Sequence, residues 1–192
     1  MSRFSLSAIG VDRPGIVAAV SGVLVELGSN IEDSTMSILQ GQFAILLVVS
    51  VPGDVTATVV EEALAPVAER FGLLVMVRSF AEAAGSAAAG GAPGAPGAPD
   101  ASGVEGWTIS VHGADRSGIV YGISSTLAAV GGNVIDLTTH LVGEPDAPVY
   151  VMTLRATLPA GPAGEKAVAE VGRCAEALGV HCNVQRDEAE LL

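Results

Sequence analysis

The chain states one motif twice. Gly10-Val-Asp-Arg-Pro-Gly-Ile-Val17 returns as Gly113-Ala-Asp-Arg-Ser-Gly-Ile-Val120, 103 positions later. The register runs without a gap from Phe4 on Trp107 to Met36 on Thr139, with thirteen identities in thirty-three pairs, among them Gly28/Gly131, Asn30/Asn133 and Asp33/Asp136. After four extra residues in the second copy it resumes at an offset of 107, which sets Phe43 on Tyr150, Leu47 on Leu154 and Pro52 on Pro159. A repeat of this length divides the 192 residues into two units of about 80 residues each. Units so small bury a modest fraction of their surface, so the halves are expected to lean on one another or on a second chain, and a homo-oligomer is the expected state.

Between Ala81 and Glu105 the composition falls to Ala, Gly, Pro and Ser, centred on Ala92-Pro-Gly-Ala-Pro-Gly-Ala-Pro99. Nothing in it can bury a core, and its triplets are too few for a collagen helix. The expected organisation is a first unit over 1–80, a connector over 81–105 and a second unit over 106–192. A flexible connector of that length spans on the order of 25–30 Å, so it permits several arrangements of the units and dictates none.

Within each unit the order of elements reads strand, helix, strand, strand, helix, strand. In the first these are Phe4–Gly10, a helix over Pro14–Leu27, Ile31–Leu39, Phe43–Val51, a helix over Thr56–Phe71, and Leu73–Phe80. Ile16, Val17, Val20, Val23, Leu24 and Leu27 form one stripe at helical spacing, repeated by Ile119, Val120, Ile123, Leu127 and Val130. The predicted class is α+β: two ferredoxin-like βαββαβ units, each an antiparallel four-stranded sheet with both helices on one face. The other face differs between copies. Phe43–Val51 is apolar on both alternating sets, whereas Tyr150–Leu158 sets Thr153, Arg155 and Thr157 opposite its apolar set. The first sheet is expected to have its second face covered and the second to be solvated; a strand central in its sheet accounts for the same pattern.

Hydrophobic residues make up 49% of the chain, yet no apolar run approaches the roughly 18 residues of a membrane span, and the N-terminus runs straight into a strand pattern. No membrane association and a cytoplasmic location are expected. The net charge of −12 and nine basic residues disfavour direct nucleic-acid binding. No nucleophile-plus-base constellation appears around His112, His140 or His181, so no catalytic residues and no cofactor are assigned. Cys174, His181 and Cys182 have no recognised metal-ligand spacing, and no metal is assigned either.

The loop between the first strand and helix carries the chemistry. Asp12 can accept hydrogen bonds from the amides of the opening turn, Pro14 suits a first helical position, and Gly15 and Gly118 let a ligand approach the helix mouth. Free amides and the helix dipole favour a small carboxylate there. Asn30 and Asn133, in the turn to the second strand, both donate and accept, which suits a zwitterion. The candidate binding residues are Asp12, Arg13, Gly15, Ile16 and Asn30, with Asp115, Arg116, Gly118, Ile119 and Asn133 as their copies. A plain helix cap, turn-forming glycines and a turn asparagine account for the same residues without a ligand.

Gly-x-Asp-Arg-Pro-Gly-Ile-Val, followed by Gly28-Ser-Asn-Ile-Glu-Asp-Ser34 and Phe43-Ala-Ile-Leu-Leu-Val48, resembles the ACT domain, the small-molecule-sensing module of amino-acid metabolism. The resemblance covers about 165 residues and, as a stand-alone pair, is similar to the glycine cleavage system repressor-like proteins. It implies a non-enzymatic regulator that binds a small amino acid, of the glycine or serine class, where two ACT units meet. Asp12, Asn30, Asp115 and Asn133 fall where the family's ligand contacts lie. It further implies action on transcription or an enzyme through a protein partner. The alternatives are a structural dimerisation module or a detached regulatory subunit of an amino-acid or one-carbon enzyme. Ser117 in place of the motif proline, and the extra Glu144–Ala147, set the second copy apart from the first.

Overall fold

The computed structural model describes residues 2–79, 104–143 and 148–187. Most of the connector and the inserted Glu144–Ala147 lie outside the described residues. The first half runs β1 (Ser2–Val11), α1 (Ile16–Glu26), β2 (Asn30–Leu39), β3 (Gln42–Val51), α2 (Ala57–Phe71), β4 (Leu74–Ser79). The second repeats it as β5 (Val104–Ala114), α3 (Ile119–Ala129), β6 (Asn133–Val142), β7 (Val149–Pro159), α4 (Pro162–Leu178), β8 (Val180–Arg186). The βαββαβ order of the sequence is therefore realised twice. Because β5 begins at Val104, the last two residues of the expected connector are strand.

The two halves do not form two sheets. All eight strands join in one antiparallel sheet of order β4-β1-β3-β2-β6-β7-β5-β8. The seam is β2 against β6, with Ser34 opposite Thr139, Thr35 opposite Thr138 and Met36 opposite Leu137. Thr35 and Thr138 are copies of one another in the repeat. So are Ser21 and Ser124, whose hydroxyl oxygens lie 3.5 Å apart between α1 and α3. A residue that meets its own copy lies on a symmetry axis, and these two contacts mark a local two-fold relating the halves.

Strand alternation sends Phe4, Leu6 and Ala8 of β1, Phe43, Ile45, Leu47 and Val49 of β3, and Tyr150, Met152, Leu154 and Ala156 of β7 into one buried layer. The helical stripes Ile16, Val17, Val20 and Leu24, and Ile119, Val120, Ile123 and Leu127, cover it from above. The opposite face carries no covering element among the described residues. β3 is central, as its composition allows, but among the described residues nothing supplies the expected cover on the first half's far face: Ile9, Leu46, Leu74 and Met76 are 51%, 49%, 79% and 50% exposed. The same face of the second half carries His112 and His181, whose rings stack at 5.1 Å, together with Thr153 and Arg155.

Candidate functional site

Both repeated loops end in a left-handed glycine. Gly15 (φ 91°) and Gly118 (φ 93°) are the N-caps of α1 and α3, in a conformation that costs an L side chain on the order of 1–2 kcal/mol. This corrects the expected helix start: α1 begins at Ile16, and Pro14 stands in the turn before it. No side chain caps either helix. The Ile16 amide donates to the Arg13 carbonyl at 3.4 Å; the other first-turn amides have no intrahelical acceptor, and the positive end of each dipole lies beside a cleft.

Asp12 is thus not a helix cap. One carboxylate oxygen accepts a 2.7 Å hydrogen bond from Asn133 Nδ2 in the other half, and the Arg13 amide donates to the same carboxyl. The local two-fold repeats the arrangement: Asn30 Nδ2 donates to both Asp115 oxygens at 2.9 Å. The pairing crosses between copies because β2 and β6, which begin with these asparagines, are neighbours across the seam. Asp12 and Asn30, read from the sequence as acting on one ligand, lie at different clefts. Burial raises the Asp12 carboxyl above its ordinary value, outweighing the hydrogen bonds from Asn133 and Arg13 that lower it.

Two small clefts flank the axis, each of about 240 Å³ counting its open mouth. The first has Asp12, Arg13, Gly15, Ile16 and Asn133 in its wall, with Phe43 and Gly132 behind. The second has Asn30, Arg116 and Ile119, with Ser29, Tyr121 and Tyr150. Asp115 is held at its edge by Asn30, and Gly118 caps the helix above. Arg116 Nη1 donates to the Leu178 carbonyl at 3.4 Å. Ser117, in place of the proline of the first copy, donates to the Ser29 carbonyl at 2.6 Å and ties the second loop to the opposite half. Pro14 has no donor to do the same. Sequence reasoning missed Ser29, Tyr121 and Tyr150 as cleft residues. The signal was present in the repeat, where their partners are Gly132, Ala18 and Phe43.

Among the described residues no three His, Cys, Asp or Glu side chains are placed to hold a metal ion. Cys174 and Cys182 are free thiols, and burial pushes the Cys182 thiol up. Among the described residues no helix is long and apolar enough to cross a membrane.

The ACT-domain family model matches residues 2–78. A UPF0237 protein of Methanopyrus kandleri is 39% identical over 79 residues, which are 41% of this chain and 88% of that protein. A UPF0237 protein of Methanocaldococcus jannaschii is 37% identical over the same length and shares. The structure of a candidate glycine cleavage system transcriptional repressor aligns over 98% of both chains at 18% identity, with a TM-score of 0.41. The fold is that of a tandem ACT protein, and the chain belongs to the ACT-domain family. Its sequence relatives include these UPF0237 proteins.

Proposed function

We propose that this ACT-domain regulatory protein binds a small amino acid of the glycine or serine class in the clefts between its two units and passes occupancy to a protein partner, without catalysis of its own. The observation that carries the reading is the crossed pair: a half-buried aspartate from one unit against an asparagine from the other, beneath an uncapped helix start. An α-ammonium has a carboxylate to meet at Asp12 or Asp115. An α-carboxylate has the helix amides near Gly15 and Ile16, or Gly118 and Ile119, and the amide of Asn133 or Asn30. Because each cleft takes groups from both halves, a ligand favours the packing of the halves that closes on it, by the difference in its affinity for the alternatives. With a net charge of −12, control of transcription fits contact with a protein rather than with DNA.

A second copy of the chain fits the open face of the first half. Ile9, Leu46, Leu74 and Met76 form an apolar surface of the kind that marks an interface, and the polar far face of the second half offers it no match. Two copies joined through this patch would meet as like on like.

The test is a thermal-shift screen of the full chain against the twenty amino acids, followed by calorimetric titration. A ligand at a hundred times its Kd adds about 2.7 kcal/mol of stability. A rise in melting temperature with one or a few small amino acids is expected. No shift with any of them would favour the dimerisation-module alternative.

A further inference from the structure

The clefts share a backbone and an Asp–Asn pair, but their linings differ. Where the first has Phe43 and Gly132, the second has Tyr150 and Ser29 at the equivalent positions of the repeat. Tyr150 is 1% exposed and Ser29 2%; among the described residues Ser29 Oγ has no hydrogen-bond partner, and the phenol of Tyr150 has the Thr139 hydroxyl beside it. The difference extends one layer deeper. Thr139, the copy of Met36, is fully buried, and its hydroxyl adjoins the Tyr150 phenol. A buried polar group calls for a partner, and these three hydroxyl side chains stand where the other side of the two-fold has Phe43, Gly132 and Met36.

We propose that Tyr150 and Ser29 are specificity-determining residues that make the second cleft select an amino acid with a hydroxyl side chain. The first cleft, walled by Phe43, Gly132, Ala18 and Ala128, takes one without a polar side chain. The inference rests on the amino-acid-binding reading above. Tyr150 and Ser29 both line the second cleft, where a ligand hydroxyl can accept from the phenol or donate to Ser29 Oγ. Burial keeps the phenol protonated, hence a donor. An acidic side chain would meet Asp115, and a larger amide would meet Tyr121 and Val25, which stand where the first cleft has Ala18 and Ala128.

The test compares L-serine with L-alanine, which differ by this one hydroxyl, in calorimetric titrations of the full chain carrying Asp12→Asn to weaken the first cleft. Serine is expected to bind at least tenfold more tightly than alanine. Tyr150→Phe should bring the two within threefold while alanine affinity stays within twofold, and Ser29→Ala should act in the same direction. Ser29→Ala should not lower the melting temperature of the free protein, since it removes an unpaired group. A serine preference unchanged by both substitutions, with amino-acid binding retained, would overturn the specificity assignment alone, as would a lowered melting temperature with no change in preference. Failure of the unsubstituted chain to bind any amino acid would overturn the functional reading, and the specificity assignment with it.

Discussion

At the scale of single residues, Asp12 shows most clearly a conflict between fold and function. Its carboxyl is partly withdrawn from water, hydrogen-bonded only by amides, and held above the ordinary value near 3.8. A carboxyl whose folded pKa exceeds its unfolded value contributes stability that is fully present below the unfolded value and is lost as pH rises through the folded one. Asp12→Asn keeps an acceptor for Asn133 and removes the charge. Relative to this variant, the unsubstituted chain should lose stability as pH rises from about 4 through the raised folded value, so the variant's melting temperature at pH 7 should equal or exceed it. The same substitution removes the group that would meet an ammonium, and first-cleft affinity should fall by tenfold or more, or about 1.4 kcal/mol. Melting curves at the two pH values and a titration at pH 7 check both halves of the prediction. An affinity that survives, with stability lowered, would return Asp12 to a purely structural role.

At the scale of elements, the clefts depend on the β2–β6 seam, which rests on three opposed residue pairs and the α1–α3 contact at Ser21 and Ser124. Proline at an interior strand position removes a ladder donor and opposes the pairing geometry. Thr138→Pro should therefore cost about 1–3 kcal/mol. It should also abolish amino-acid binding at both clefts, although Thr138 is in the wall of neither. Urea denaturation should change from one transition toward two as the halves uncouple, and titration should show no binding. Retained binding would mean that the clefts do not need the seam. The Ser117–Ser29 hydrogen bond adds a second tie between the halves at one cleft only. The two loops, nearly identical in sequence, are thus held differently.

At the scale of the whole molecule, the connector and the open face make separate predictions. Cleavage within 81–103 should leave both halves folded, and the two fragments should still elute together, because the eight-stranded sheet and the paired helices join them independently of the connector. Limited proteolysis followed by gel filtration reads this directly; fragments that separate would show the seam to be too weak to hold unaided. The apolar patch belongs to assembly. Leu74→Glu places a charge at its most exposed apolar side chain, and the mass of the full chain by light scattering should fall to that of one chain. Its monomer stability should change by less than about 0.5 kcal/mol, as surface substitutions do. An unchanged mass would place the subunit contact elsewhere.

The sequence by itself determined what depends on near neighbours along the chain. The doubled motif divides the molecule, the stripes from Ile16 and Ile119 build α1 and α3, and the alternation in Phe43–Val51 builds a central strand; each follows from local periodicity and the burial of one face. The loop residues Asp12, Gly15 and Asn30 were also legible as unusual. Their partners were not. The helix start moved from Pro14 to Ile16 because Gly15 takes the left-handed conformation, which frees Asp12 from capping, and a glycine's φ cannot be read from its neighbours. The pairing of Asp12 with Asn133 and of Asn30 with Asp115 was decided by β2 meeting β6, an association of two strand edges whose alternation is equally compatible with separate units. Phe43 and Tyr150 were aligned in the repeat from the start. Only the tertiary structure set them at the back of two clefts, because side chains far apart in the chain acquire a common environment only when the sheet closes around them.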